Sequence, residues 1–213
     1  MGVTGDRTRW VDLLESFVPD ILRLTIAAWM TLPPIAVDAK EDEITLALCR
    51  ALQRDRTARC LPFQIRPQQA EADPAPGEEM GRLDIAFNLL VPAEEIYFCL
   101  EGKRLNVMKN DCTRAYASEY VKFGMMRLVT GQYAPAVRHG GMIGYVLDKD
   151  VPRAIKNVAV SMRRQHVALC MVPPGTLLPS AVLESESRAR ESHHLRQIGT
   201  ASFHIHHLFM APS

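Results

Sequence analysis

The chain has 213 residues, 47% hydrophobic and 23% charged, a length and composition that suit a globular protein with a sizeable core. Its five cysteines (Cys49, Cys60, Cys99, Cys112, Cys170) are odd in number, scattered and without a CxxC pair, which argues against a disulfide framework or structural zinc and for a reducing compartment. The net charge of +1 hides an asymmetry: residues 1–102 carry 10 Lys/Arg against 17 Asp/Glu, residues 103–166 carry 12 against 4, and the tail is neutral.

The first twenty residues mix charges of both signs and lack an apolar core, so no secretory signal is expected. The uncharged run 24–37 is too short to span a bilayer and contains Pro33-Pro34, so a soluble, cytoplasmic protein is expected. Residues 8–31 read as helical, with Pro19 starting a second helix that the Pro-Pro pair stops. "DAKEDEITLALCRALQRD" has apolar residues at 44, 47, 48, 51 and 52, the period of a helix, with Asp38 as its N-cap.

"LPFQIRPQQAE" alternates like an edge strand and "EADPAPGEEM" reads as a polar loop. Two strands follow, 81–91 and 95–106, around a turn at Pro92-Ala93. A second long helix is predicted over 112–131, ended by Gly131. Then come a buried strand "GGMIGYVLD", a helix over 151–165, a strand "HVALCMVP", a polar mobile excursion over 180–200, and a last strand "ASFHIHHLFMA". The chain reads as one domain over 1–213: a helical extension (1–35), a core (40–148), and a C-terminal helix and strands (149–213).

Within the two central strands, "LDIAFNLLVPAEEIYFCLEGKRL" carries Asp84, Glu101 and Lys103 among apolar neighbours. Charged residues are rarely fully buried unless paired or bound to metal, so these three are either a cross-strand ion pair on an exposed face or a site. Strand alternation puts Glu101 and Lys103 on one face. A hairpin turning at Pro92-Ala93 sets Asp84 opposite Glu101, roughly 5 Å apart at Cβ, although turn type leaves a one-residue slip open. Opposed carboxylates repel unless a proton or cation lies between them, and Mg²⁺ takes one or two carboxylates plus waters and phosphates. Lys103 adds a positive charge beside such an ion. Together they meet the needs of phosphodiester hydrolysis: an activated water and a stabilised transition-state charge.

Asp84 followed by Glu101-Gly102-Lys103 resembles the PD-(D/E)xK nuclease superfamily. The order of elements over 40–148, helix, three-strand meander, helix, strand, is similar to that family's core. The resemblance covers about 110 of the 213 residues, and Leu83 stands where the motif's name has proline. It implies an α/β, restriction-endonuclease-like fold with a mixed central sheet flanked by helices. It also implies Mg²⁺ or Mn²⁺ held by Asp84, Glu101 and the Gly102 carbonyl. Lys103 is then the catalytic cation, and Glu43 is the first-helix acid, in line with Ala47 and Ala51 at helical spacing.

In the helix after the lysine, Arg114, Lys122 and Arg127 are candidate phosphate contacts, while Tyr116, Tyr120 and Gln132 are candidates for touching substrate. Arg153 and Lys156 extend the basic stretch. In "HIHH", His204 and His206 share a strand face and His207 takes the other, so a rim or core role is favoured over a metal site. "GGMIGYV" lacks the spacing of a nucleotide-binding loop.

The reading is a metal-dependent nuclease, acting on DNA rather than RNA, without a membrane partner. No sequence-reading motif is visible, so a partner subunit or a homo-oligomer is expected to supply specificity, as in effector subunits of bacterial defence or restriction systems. The rivals are a catalytically silent scaffold with a nuclease-like fold and a different Mg²⁺ phosphoryl-transfer enzyme.

Overall fold

The computed structural model describes residues 6–55, 60–70, 81–91, 93, 95–109, 112–196 and 202–212. Helices α1 (Arg7–Ser16), α2 (Val18–Met30) and α3 (Glu41–Arg54) precede strands β1 (Phe63–Ala70), β2 (Arg82–Leu89) and β3 (Tyr97–Leu105). A small hairpin, β4 (Val107–Lys109) and β5 (Cys112–Arg114), leads into helix α4, which runs as Ala117–Tyr120, a π-helical turn Val121–Met125, and Met126–Val129. Strand β6 (His139–Val146), helix α5 (Val151–Arg164) and strands β7 (Leu178–Pro179), β8 (Ala189–Leu195) and β9 (Ser202–Met210) complete the chain.

The fold is α/β. Its seven-stranded sheet has the order β1-β2-β3-β6-β9-β8-β7 and is mixed, because β3–β6 and β6–β9 are parallel and the other pairs antiparallel. Central β6 is buried from Gly140 to Val146, as expected of a strand covered on both faces. On one face Tyr145 stacks on Trp29 of α2 at 5.5 Å and bonds Thr45 of α3 at 2.8 Å. On the other, Tyr120 of α4 stacks on Phe209 at 6.1 Å. Helix α3 buries Ile44, Thr45, Leu48, Cys49 and Leu52, a stripe at helical spacing. Among the described residues no helix is long and apolar enough to cross a membrane.

Several expectations about local structure need correction. Helix α3 begins at Glu41 with Lys40, not Asp38, as N-cap, and the Glu43 carboxylate accepts the Lys40 N–H at 3.0 Å in a capping box. The helix predicted from 112 starts only at Ala117, because 112–114 pair with 107–109 and Asn106 and Tyr116 both have positive φ. Residues 166–173 form turns that meet β8 at the bridge Met171↔His194 in place of a ladder; Pro173 and Pro174 have no N–H with which to extend one. The excursion expected over 180–200 contains β8, paired with β9 from Ala189↔Leu208 to Leu195↔Ser202. Its polar residues are buried because they bond to one another. The 71–80 loop and Pro92 lie outside the described residues.

That bonding has a fixed direction. The Leu169 carbonyl can only accept, so His194 Nδ1–H donates to it at 2.8 Å. Neutral His194 then accepts from Ser192 at 2.7 Å, Ser192 accepts from His207 at 2.8 Å, and His207 Nδ1 accepts the Tyr120 hydroxyl at 2.9 Å. On the opposite face His206 bonds His139 at 3.0 Å, and His204 stacks on His193. Thus His204 and His206 do share a face that His207 does not, and His207 is a satisfied core residue.

Burial first, then neighbouring histidines, depress His207 well below the ordinary value and His206 to about 3; burial likewise holds His194 at about 4. These groups are neutral when folded but titrate near 6.5 when unfolded. Their contribution is therefore complete above pH 6.5 and lost as pH falls toward 4. Each contributes up to about 1.4 kcal/mol per pH unit to that loss. Replacing His206 with non-titrating Gln is expected to flatten the acid limb, in urea unfolding between pH 7 and 4, by about one proton.

Candidate functional site

The β2–β3 ladder pairs Ile85 with Leu100, so its next step sets Asp84 against Glu101, in the register expected. Asp84 Oδ2 accepts the Gly102 N–H at 2.7 Å. Asp84, Glu101 and Lys103 line one cleft of about 460 Å³ together with Glu41, Arg127 and the rings of Tyr116 and Phe123. Lys103 Nζ donates to Glu101 Oε1 at 2.9 Å, to Glu41 Oε1 at 2.9 Å and to the Gly102 carbonyl at 2.8 Å.

Each element places its residue for a local reason. Gly102 sits between two charged residues because a Cβ there would lie 2.7 Å from the Tyr145 hydroxyl. Gly124, on the π-turn of α4, lets the helix close on Met142 of β6, where a Cβ would lie 2.3 Å from Met142 Cε; the same point is in ordinary contact, 3.7 Å, with Glu101 Cγ. Arg127, one turn on, reaches Glu101 Oε1 at 3.4 Å and the Tyr133 hydroxyl at 2.9 Å. The loop holding Tyr133 is itself held by Arg196. This buried guanidinium donates to the carbonyls of Leu128, Tyr133, Ala134 and Val137 at 2.7–3.0 Å and lies over the Phe203 ring.

Burial dominates the electrostatics. It pushes Asp84 up to about 6 despite the opposing influence of Lys103 and the Gly102 N–H. It pushes Glu101 up to about 8, helped by the charge of Asp84 and resisted by Lys103 and Arg127. Burial works against the Lys103 charge too, yet Glu101, Asp84 and Glu41 together raise it above its ordinary value. A raised Glu101 argues for a broken ion pair and a raised Lys103 for an intact one. The 2.9 Å contact favours a charged lysine, with Asp84 and Glu101 as the two groups that resist simultaneous ionisation.

The acid that the first core helix brings to the cleft beside Lys103 is Glu41, and Glu43, expected there, does not line it. Glu41 bridges Lys103 Nζ and, at 3.0 Å, the Arg104 N–H, whereas Glu43 is occupied by its cap. The signal was present in the sequence: Glu41 lies four and seven residues before buried Thr45 and Leu48, while Ala47 and Ala51, in line with Glu43, are only half-buried. Tyr120 is fully buried on His207 and cannot touch substrate. Arg114 is exposed, pairs with Glu119 and stacks on Tyr116 at 4.6 Å; Lys122 is exposed. Neither lines the cleft, nor do Gln132, Arg153 or Lys156; Arg127 does, with Tyr116 and the unforeseen Arg82 and Arg104.

The basic half of the chain is not gathered at the cleft, because Arg138 is paired with Asp12 and Glu15, and Arg153 with Asp148 and Asp150. Glu41, Asp42, Asp84, Glu101 and Glu119 face Arg82, Lys103, Arg104 and Arg127, so the lining carries five acidic groups against four basic.

Among the described residues no three His, Cys, Asp or Glu side chains form a metal-binding group. The donors at this point are hard oxygens: Asp84 and Glu101 line the cleft, and the Gly102 carbonyl accepts from Lys103 Nζ beside them. Glu101 Oε2 is buried without a hydrogen-bond partner, which fits an oxygen-seeking cation better than a completed ion pair. Comparison of the chain with protein-family models, curated proteins and solved structures returns no match.

Glu101→Gln tests the electrostatics. The folded-state value of about 8 exceeds the ordinary 4.5, so ionisation of Glu101 costs stability as pH rises from 4.5 to 8. Gln keeps an acceptor for Lys103 and removes that cost. The variant is expected to melt higher than the parent without metal, with the gain growing between pH 5 and 8.

Proposed function

We propose that the chain is a divalent-metal-dependent nuclease of the PD-(D/E)xK type, with DNA as the favoured substrate. The observation that carries this reading is the buried Glu101, whose second oxygen is unpartnered, beside Asp84 and Lys103 at the floor of an open cleft. Chain order supports it: α3, the meander β1-β2-β3, α4 and then β6, parallel to β3, follow one another over the expected core. Asp84, Glu101 and the Gly102 carbonyl would hold Mg²⁺ or Mn²⁺, and such an ion supplies an acidified water and neutralises phosphoryl charge.

The side chains divide the remaining work. Lys103 would release Glu101 and turn its ammonium toward the attacking oxygen or a phosphoryl oxygen, with Glu41 steering it. Arg127, braced by Tyr133, would hold the phosphate from the α4 side. Burial of Glu101 excludes water and strengthens each of these interactions. With five acids and four bases in its lining, the cleft has no cationic surplus for a polyanion, and a bound cation would supply one. An effector role beside a partner subunit in bacterial defence accords with the lack of any sequence-reading motif.

The second reading, a silent binding subunit, draws on the complete set of acceptors around Lys103, which satisfies the ammonium without metal. Cleavage separates the two. Plasmid, linear and single-stranded substrates should be cut with Mg²⁺ or Mn²⁺ and spared with EDTA. Asp84→Asn, Glu101→Gln and Lys103→Ala should each lower the rate by ~100-fold or more. Glu41→Ala should impair cleavage more than Glu43→Ala, which removes a helix cap. No cleavage of any substrate with either metal would favour the silent subunit.

A second prediction concerns linkage. Asp84 and Glu101 hold protons at pH values where ordinary carboxylates do not, and a bound cation would displace them. Mg²⁺ affinity should therefore rise from pH 5 to 8. Calorimetry in buffers of different ionisation enthalpy should show proton release at pH 6 that disappears in the Asp84→Asn/Glu101→Gln double variant.

A further inference from the structure

Two aromatic rings line the cleft among its charged groups. Phe123 is 55% exposed and, of the large apolar side chains exposed among the described residues, is the one that lines this cleft. It projects from the π-helical turn of α4, a local departure from α-geometry that recurs at functional sites. Tyr116 stands at the start of the same helix with φ +52, a conformation that a tyrosine adopts only at a cost. Both backbone irregularities in this helix thus fall beside residues that put a ring into the cleft.

Glu101 is 2% exposed and Asp84 half-buried, and the cleft that holds them is also lined by Tyr116 and Phe123, so a phosphodiester brought to Glu101 enters beside these residues. A slender strand with unpaired bases can do so. A duplex keeps its base faces stacked internally and offers none of them to a side chain, whereas a single strand presents a π-face at every nucleotide.

We propose that the cleft takes single-stranded nucleic acid, with an unpaired base stacked on Phe123 and a second contacting Tyr116 while the intervening phosphate reaches Asp84 and Glu101. This rests on the nuclease reading above and narrows its substrate. Phe123 is a specificity residue, and single-stranded gaps, frayed ends or displaced strands are the substrate class. Stacking is indifferent to base identity, which agrees with the lack of a sequence-reading motif.

The test is a fluorescence-anisotropy titration of a short labelled oligonucleotide and of its duplex, with Ca²⁺ as the oxygen-liganded ion and again with EDTA. The single strand is expected to bind more tightly than the duplex. Phe123→Ala should weaken single-strand binding about 5- to 100-fold and leave duplex binding unchanged. Phe123→Trp should restore it, and Phe123→Leu, apolar without a π-face, should not. Because Phe123 is largely exposed, equal melting temperatures are expected for all four proteins. Equal affinity for both substrates, with Phe123→Ala neutral, would overturn the single-strand proposal and leave the nuclease reading intact. Binding of neither substrate under either condition would overturn both.

Discussion

The buried contact between the Lys103 ammonium and the Glu101 carboxylate is the constraint on which the rest of the cleft depends. Glu101 is 2% exposed and the lysine side chain 13% exposed, so neither charge can be left to water. Removing the lysine would leave buried carboxylates without their cation, a change of the kind that costs about 3–5 kcal/mol. An amide at 101, by contrast, would still accept from Lys103, which keeps Glu41 as its counter-charge. Glu41 completes the arrangement from the N-terminus of α3. Because it accepts from both Lys103 Nζ and the Arg104 N–H, it fastens that helix end to the end of β3. The electrostatics that would serve catalysis also hold a helix in place.

Helix α4 is positioned by a different set of bonds. Tyr120 ties its first turn to the sheet through His207, Ser192 and His194, a chain in which every donor and acceptor is used once. Arg196 gathers the carbonyls at its other end. Between these two anchors lies the π-turn with Gly124 and Phe123, free to press against β3 on one side and open to the cleft on the other. The residues facing the cleft from α4 therefore owe their placement to buried polar groups on β8 and β9, remote from them in sequence.

Surplus carboxylate gives the cleft its character. Where burial raises Asp84 and Glu101 together, the site has two means of relief, a proton or a cation, and the balance between them shifts with pH. Lys103 offers a third, which fills part of the same space. On the nuclease proposal, exchange among these three states would keep the site inactive until an ion displaced the proton and freed the lysine.

Periodicity along the chain carries part of this fold. Alternation along β2 and β3, with a turn assumed at Pro92-Ala93, foresaw the convergence of Asp84, Glu101 and Lys103, but left open a one-residue slip that only the strand pairing closes. Local patterns failed where burial is achieved by pairing. "ARESHHL" reads as polar and mobile, yet it forms β8 because Ser192 and His194 find partners on β9 and in the 166–173 turns. Tyr120 and Arg127 sit on one short helix, and only the packing of α4 decides that the first faces His207 and the second Glu101. The choice of Glu41 over Glu43 is a matter of helix phase, fixed by which residues α3 buries against the sheet. Spacing sets which side chains share a face; which face meets the core, and which charges then face one another, depends on contacts between distant segments that no local window contains.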